Sequence, residues 1–160
     1  MEYSKVSIIT VCFNAASTIA ETIESVATQV DADIEHIVID GNSNDGTQSV
    51  VEAHLRDNLV FVSEPDEGLY DAMNKGVQLA KGDIIAFLNA DDVYASANVV
   101  GHAVAAINEN TVSCVYADLV FVDAIDTSLV KRVWSSQSHT PRLCFSGLDA
   151  RASNVIHAAY

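Results

Sequence analysis

The chain has 160 residues, 49% of them apolar and 19% charged, so it can bury a sizeable core as one domain and is not a disordered chain. Its 22 Asp and Glu against 8 Lys and Arg give a formal charge of -14, which argues against DNA or RNA as a partner and against electrostatic docking on an anionic membrane. An anionic ligand on such a protein needs a bridging cation or backbone N–H groups.

In chain order, Val6–Val11 is a continuous apolar, β-branched run, the pattern of a strand buried on both faces. A helix follows, with Ile19, Ile23 and Val26 on one face and Thr18 and Glu21 at capping-box spacing. His36–Asp40 reads as a second strand and Gly41–Gly46 as a loop; the next helix carries Val50, Val51 and Leu55. Leu59–Ser63 is a third strand, and Glu64–Gly68 is a loop. A helix over 69–80 places Leu69, Ala72, Met73, Gly76 and Val77 on one face, with Gly82 expected at a left-handed C-cap. Asp83–Leu88 is a fourth strand and ends in Asn89-Ala90-Asp91-Asp92, ahead of a helix over 96–107. Two β-rich runs, 113–122 and 129–134, flank a polar turn at Asp126-Thr127-Ser128 and read as an antiparallel hairpin or meander, the first run divisible into two pieces. After Arg142 the pattern fades, and 146–160 has no clear periodicity or closing element.

Alternating strands and helices predict an α/β fold with a mainly parallel sheet and an antiparallel C-terminal part. The sequence holds no internal repeat, low-complexity tract or flexible linker. Cys12, Cys114 and Cys144 are odd in number and widely spaced, which supports neither a disulfide framework nor a zinc site. The N-terminus lacks the pattern of a signal peptide, and no apolar run approaches the roughly 20 residues that span a bilayer, so a cytoplasmic location is expected.

Ligands of a parallel α/β sheet bind beyond the carboxyl ends of its strands. Here those ends carry Cys12-Phe13-Asn14, Asp40-Gly41-Asn42-Ser43, Glu64-Pro65-Asp66 and Asn89-Ala90-Asp91-Asp92. Any one of these loops reads equally well as turn and cap chemistry; four consecutive polar strand ends point to a ligand site. Asp91-Asp92 is the sharpest element, because adjacent carboxylates repel unless a cation lies near, and hard oxygen ligands suit Mg²⁺ or Mn²⁺ with a substrate diphosphate completing the shell. The five histidines are scattered, which offers no softer metal site. Neither GxGxxG, GxxxxGK[ST] nor GxSxG occurs, and the chain after the first strand lacks the acidic pair of a phosphoacceptor domain.

The runs SIITVCFNAASTIAETIESVATQ, IVIDGNSNDGT, SEPDEGLYDAMNKG and KGDIIAFLNADDVY resemble, in order and spacing over residues 4–134, the family 2 glycosyltransferases of GT-A fold. Within that family they most resemble the bacterial members that build O-antigen and exopolysaccharide repeat units. The resemblance implies a Rossmann-like nucleotide-sugar-binding fold with helices on both faces of the sheet. It implies a GT-A domain over 1–142, comprising a donor-binding half and the start of the acceptor part, and leaves 143–160 as an atypical tail, read as truncated or frameshifted.

By resemblance, Val11, Phe13 and Asn14, with Asp40, Asn42 and Ser43, hold the nucleotide base and ribose. An Asp accepting the uracil N3–H fits Asp40, and which loop residue does so stays open. Asp66, Gly68, Tyr70, Asp71 and Lys75 match the motif beside the donor; Lys75 reads either as a charge partner or as an ordinary helix lysine. The family's Asp-x-Asp metal motif falls on Asn89-Ala90-Asp91, with Asn in place of its first acid, so Asp91 and Asp92 are the expected ligands of the divalent cation. The implied reaction is an inverting, metal-dependent transfer of sugar from a nucleoside-diphosphate sugar to a glycan or lipid-linked acceptor in cell-surface polysaccharide synthesis. It implies at most peripheral membrane contact, at the inner face. No tail acid, among Asp118, Asp123, Asp126 and Asp149, matches the family's general base, so the chain is expected to bind donor nucleotide weakly and to transfer sugar poorly or not at all. A nucleotide-sugar-binding module without turnover is the alternative. A nucleotidyltransferase is a weaker one, since the Gly-rich basic loop after the first strand is absent.

Overall fold

The computed structural model describes residues 5–110, 112, 114–123, 129–135 and 155–157. Its strands are β1 (Lys5–Cys12), β2 (Asp33–Asp40), β3 (Leu59–Ser63), β4 (Ile84–Phe87), β5 (Cys114–Tyr116), β6 (Leu119–Val122), β7 (Val130–Trp134) and β8 (Val155–His157). Its helices are α1 (Ile19–Ala27), α2 (Thr47–Ala53), α3 (Leu69–Leu79) and α4 (Val99–Asn110). Six strands form one sheet in the order β3-β2-β1-β4-β8-β5, parallel throughout, and β6 and β7 pair antiparallel in a second, small sheet.

The apolar run of β1 is continuous because both faces of the sheet are covered. On one face Val6, Ile8, Ile84 and Ala86 meet Val26 of α1 and Val100, Ala103 and Ile107 of α4, while Val38 and Leu59 meet Ile19, Ile23 and Val51 of α1 and α2. On the other face Ile9, Val11, Ile37, Ile39 and Phe87 pack against Ala72 and Val77 of α3. The expected mainly parallel sheet with helices on both faces is what the chain forms. The chain runs outward from β1 through β2 to β3, then returns to place β4 on β1's other side. That reversal leaves a crevice beyond the carboxyl ends of β1 and β4.

Several local expectations need correction. Thr18 is the N-cap of α1, but its hydroxyl makes no capping bond; it donates to Ala15 O at 3.4 Å, inside a turn that already feeds the helix. Gly82 is not a left-handed cap: α3 ends at Leu79, followed by extended Ala80, and Gly82 is small because a Cβ there would stand 2.7 Å from Ser7 N. Leu55 lies beyond α2 and is exposed. Helix α4 begins at Val99 because Gln29 reaches across from the end of α1: its Oε1 accepts from Val100 N at 3.1 Å, and its Nε2 donates to Ser96 O at 2.8 Å. The run over 113–122 does divide in two, yet its first piece, β5, joins the parallel sheet instead of the hairpin. The tail was expected to lack any closing element, but β8 inserts between β4 and β5; three residues are too few to show a period. The rest of 143–160, with Cys144, Asp126, Asp149 and the turn at 126–128, lies outside the described residues.

Candidate functional site

The loops after β1 and β2 are laced together by their own polar side chains. Asn14 and Asn42 both take left-handed backbone, at φ 53 and 62, where a short amide side chain is tolerated. Asn14 N donates to Ser43 Oγ at 2.8 Å, and Asn44 N donates back to Asn14 Oδ1 at 3.1 Å. Ala15 N donates to Thr47 Oγ1 at 2.8 Å, and Ala16 N to Asp45 Oδ2 at 3.0 Å. Asp45 in turn accepts from the Thr47 hydroxyl at 2.6 Å and from Thr47 N at 3.0 Å. The Thr47 hydroxyl, aided by Ala16 N–H, holds the Asp45 carboxyl below its usual range. Sequence reasoning passed over Asp45 and Thr47, although Asp-Gly-Thr carries the Asx-turn signal of a carboxylate bonding two residues on.

Asp40 is fully buried beneath this lacework. Its carboxylate accepts from Ser43 N at 3.0 Å, from the Ser63 hydroxyl at 2.6 Å and from the Ser43 hydroxyl. It thereby ties the ends of β2 and β3 to the loop, and it lines neither pocket described below. Cys12 packs against it; burial first, then the Asp40 charge, push the thiol up to about 12, so Cys12 is a protonated core residue and not a nucleophile.

The loop after β3 is closed by Lys75. Its ammonium meets Glu64 Oε1 at 2.9 Å, Pro65 O at 2.8 Å and Asp71 Oδ2 at 3.3 Å. Bonding to Glu64 raises the Lys75 pKa, and the Glu67 N–H, more than Lys75, lowers that of Asp71. Lys75 is therefore a clip on its own loop, and Asp71 belongs to that clip. Asp66 caps the same loop by accepting from Gly68 N at 2.8 Å.

Two adjoining pockets open at the carboxyl end of the sheet. The first, about 450 Å³, is lined by Val11, Phe13 and Asn14 after β1, by Ser17 and Thr18 before α1, and by Asn89, Ala90 and Asp91 after β4. The second, about 270 Å³, is lined by Val11, Phe13, Asp66, Gly68, Leu69 and Ala72. Cys12 and Leu69 border both. Of the expected site residues, Val11, Phe13, Asn14, Asp66, Gly68, Asn89 and Asp91 thus face the crevice. Asp40, Asn42, Ser43, Asp71 and Lys75 build the loops behind it. Leu69, Ser17 and Thr18 were missed, as apolar and hydroxyl residues carry no sequence signal for a pocket wall.

Asp91 is exposed on the rim, and no described residue bonds its carboxylate. Asn89 Nδ2 donates to Asp92 Oδ2 at 2.9 Å, and Asn89 and Asp91 both line the crevice, so carboxylate and carboxamide oxygens gather at this strand end. Among the described residues no three His, Cys, Asp or Glu side chains form a ready-made cage. One or two carboxylates with substrate phosphates is how Mg²⁺-type ions are usually held, so this donor set fits such an ion.

The glycosyl transferase family 2 model matches residues 7–156. A PGL/p-HBAD biosynthesis glycosyltransferase of Mycobacterium bovis (strain BCG / Pasteur 1173P2) is 34% identical over 156 residues, covering 96% of this chain and 57% of that protein. An uncharacterized glycosyltransferase of Mycobacterium tuberculosis (strain ATCC 25618 / H37Rv) is 40% identical over 104 residues, covering 64% of this chain and 40% of its own. Among solved structures, residues 1–349 of S. aureus TarS in complex with UDP-GlcNAc superpose with a TM-score of 0.64 at 26% identity, covering 71% of this chain and 34% of that one. The mannosyltransferase PcManGT from Pyrobaculum calidifontis, in complex with GDP-Man and Mn2+, gives 0.61 at 25% identity, covering 77% and 37%. The chain spans little more than half the length of the first of these relatives.

Proposed function

The chain belongs to glycosyl transferase family 2, and we propose that it is the donor-binding half of an enzyme that moves a sugar from a nucleoside-diphosphate sugar to a glycan or lipid-linked acceptor, with inversion. The observation that carries this is the pair of adjoining pockets beyond the parallel strands, with Phe13 shared between them and the Asp91 carboxylate at one end. The UDP-GlcNAc and GDP-Man complexes of the structural relatives support a donor of this class.

In this reading the nucleoside lies over the ends of β1, β2 and β3, and the diphosphate reaches toward Asn89 and Asp91. Phe13 offers an exposed ring face for the base, and Asn14 and Ser17 line the path of the diphosphate. Asp91 and Asp92, with the Asn89 carboxamide beside them, would hold a Mg²⁺ or Mn²⁺ ion, which when bound offsets charge on the leaving diphosphate. Asp40, Asp45 and Thr47 keep the loops in place before the donor arrives, so that ordering them costs little on binding. The proton of the acceptor hydroxyl goes to a carboxylate general base as that oxygen bonds the anomeric carbon and the nucleoside diphosphate leaves it. We place the reaction in cell-surface polysaccharide synthesis at the cytoplasmic face of the membrane; among the described residues no helix is long and apolar enough to cross one.

Titration calorimetry with UDP and GDP, with and without Mn²⁺, tests the reading. Affinity should appear with the ion and fall at least about tenfold in Asp91→Ala, an exposed position where truncation leaves the fold intact. Equal Mn²⁺-dependent affinity in the variant would remove Asp91 from the site.

A further inference from the structure

β6 and β7 pair with each other and with no other described strand. β7 is exposed along its whole length. The side chains it shows are not those of a solvated surface: Leu129, just before it, and Val130, Val133 and Trp134 within it are each more than half exposed. A two-stranded ribbon is marginal in water on its own, so one with a bare apolar strand gains from a surface that covers it. The register divides the ribbon's faces. Phe121 stands opposite Arg132 and Leu119 opposite Trp134 on one face, and Val120 stands opposite Val133 on the other. On the first face the Arg132 guanidinium lies 5.9 Å from the centre of the Phe121 ring and 5.6 Å from that of Trp134.

Charge decides what can cover the ribbon. Lys5, Arg56 and Lys75 of the main body each meet a carboxylate, and Lys131 meets Asp123 at 3.0 Å. Arg132 meets two rings instead, and no described carboxylate pairs with it. The covering surface is therefore apolar with anionic groups at its edge. A second copy of the ribbon does not fit that description, because pairing centred on β7 sets Arg132 against its own kind, a device that keeps edge strands apart. A phospholipid interface does fit it: Trp concentrates at the headgroup level, and basic side chains meet anionic headgroups there. We infer that the β6–β7 ribbon docks on an anionic phospholipid surface, with Arg132 on the lipid phosphates and Leu129, Val133 and Trp134 in the interface. The formal charge of -14 argues against docking by the body of the chain. At about 0.15 M salt, charges more than roughly 8 Å from the lipid are largely screened, which confines the contact to the ribbon. The inference gives a surface to the membrane placement proposed above and does not rest on the donor site, since it needs no nucleotide.

Trp134 is the only tryptophan in the chain, so its emission reports the ribbon directly. The test adds vesicles of about three parts phosphatidylcholine to one part phosphatidylglycerol, and vesicles of phosphatidylcholine alone, at that salt. The anionic vesicles should shift Trp134 emission to the blue and carry the chain in flotation, with a partition constant on the order of 10⁴ M⁻¹, the range of a single acyl anchor. The parent should prefer them over neutral vesicles by at least about fivefold, the scale of one cation at the surface. Arg132→Glu should erase that preference. Leu129→Ser with Val133→Ser should weaken binding to both kinds of vesicle by about tenfold or more, as buried apolar area is lost. Equal or absent binding of the two vesicles by the parent overturns the inference and needs no variant, and so does a preference that survives Arg132→Glu. A blue shift that grows with protein concentration in vesicle-free buffer, with a dimer in sedimentation equilibrium, assigns the ribbon to a second copy and overturns it as well. None of these results bears on Mn²⁺-dependent UDP binding, so the donor site stands or falls separately.

Discussion

His36 is enclosed on β2, with Nε2 2.9 Å from the Thr10 hydroxyl, and burial pushes its pKa down to about 3. An unfolded histidine titrates near 6.5, so between about pH 6.5 and pH 3 the unfolded chain holds a proton that the folded chain does not. Stability from this group is full above pH 6.5 and is lost as pH falls toward 3, with a slope of at most about 1.4 kcal/mol per pH unit. His36→Gln should flatten urea-unfolding stability between pH 6 and 4.5. A slope as steep as the parent's there would assign the effect elsewhere; Asp45 and Asp71, whose pKa values are lowered, lose their contribution only at more acid pH. Asp40 makes a companion case. Asp40→Ala strands the Ser43 N–H and the Ser43 and Ser63 hydroxyls and should cost about 2–4 kcal/mol in urea unfolding.

At the scale of elements, α3 lies close on β1. A Cβ on Gly76 would stand 2.4 Å from Ile9 Cγ2, inside the core face shared with Ala72 and Val77. Gly76→Ala should therefore destabilise the chain by about 1–3 kcal/mol despite alanine's better helix propensity, a sign that thermal unfolding reads directly. The elements themselves were legible where burial imposes a long pattern: β1, and the helix faces of α1 and α3, follow from their apolar residues. They were illegible where a distant side chain or a short span decides. The start of α4 depends on Gln29, some seventy residues earlier in the chain, and β8 is three residues held by its two neighbours. The site divides the same way. That the strand ends carry its residues could be read from the sequence, as could Asp91 on its rim. That Asp40 is saturated depends on how the loop after β2 meets the end of β3, which no spacing encodes.

The whole molecule carries a formal charge of -14, and the crevice opens in that field. Among the described residues near it, the ammonium of Lys75 is already matched by Glu64 and Asp71. A nucleoside diphosphate without a cation thus approaches a surface of its own sign, and added salt should help it by screening the repulsion. Raising NaCl from roughly 20 to 200 mM shortens the screening length from over 20 Å to under 10 Å. Over that range metal-free UDP affinity should rise severalfold. With Mn²⁺ saturating, the local charge at Asp91 is offset, so the same change in salt should leave UDP affinity level or lower it as the ion–phosphate attraction is screened. The contrast between the two slopes is the observable, read by calorimetry at fixed pH. If metal-free affinity instead falls steeply with salt, cationic side chains hold the phosphates, and the divalent ion is not what admits an anion to this acidic protein.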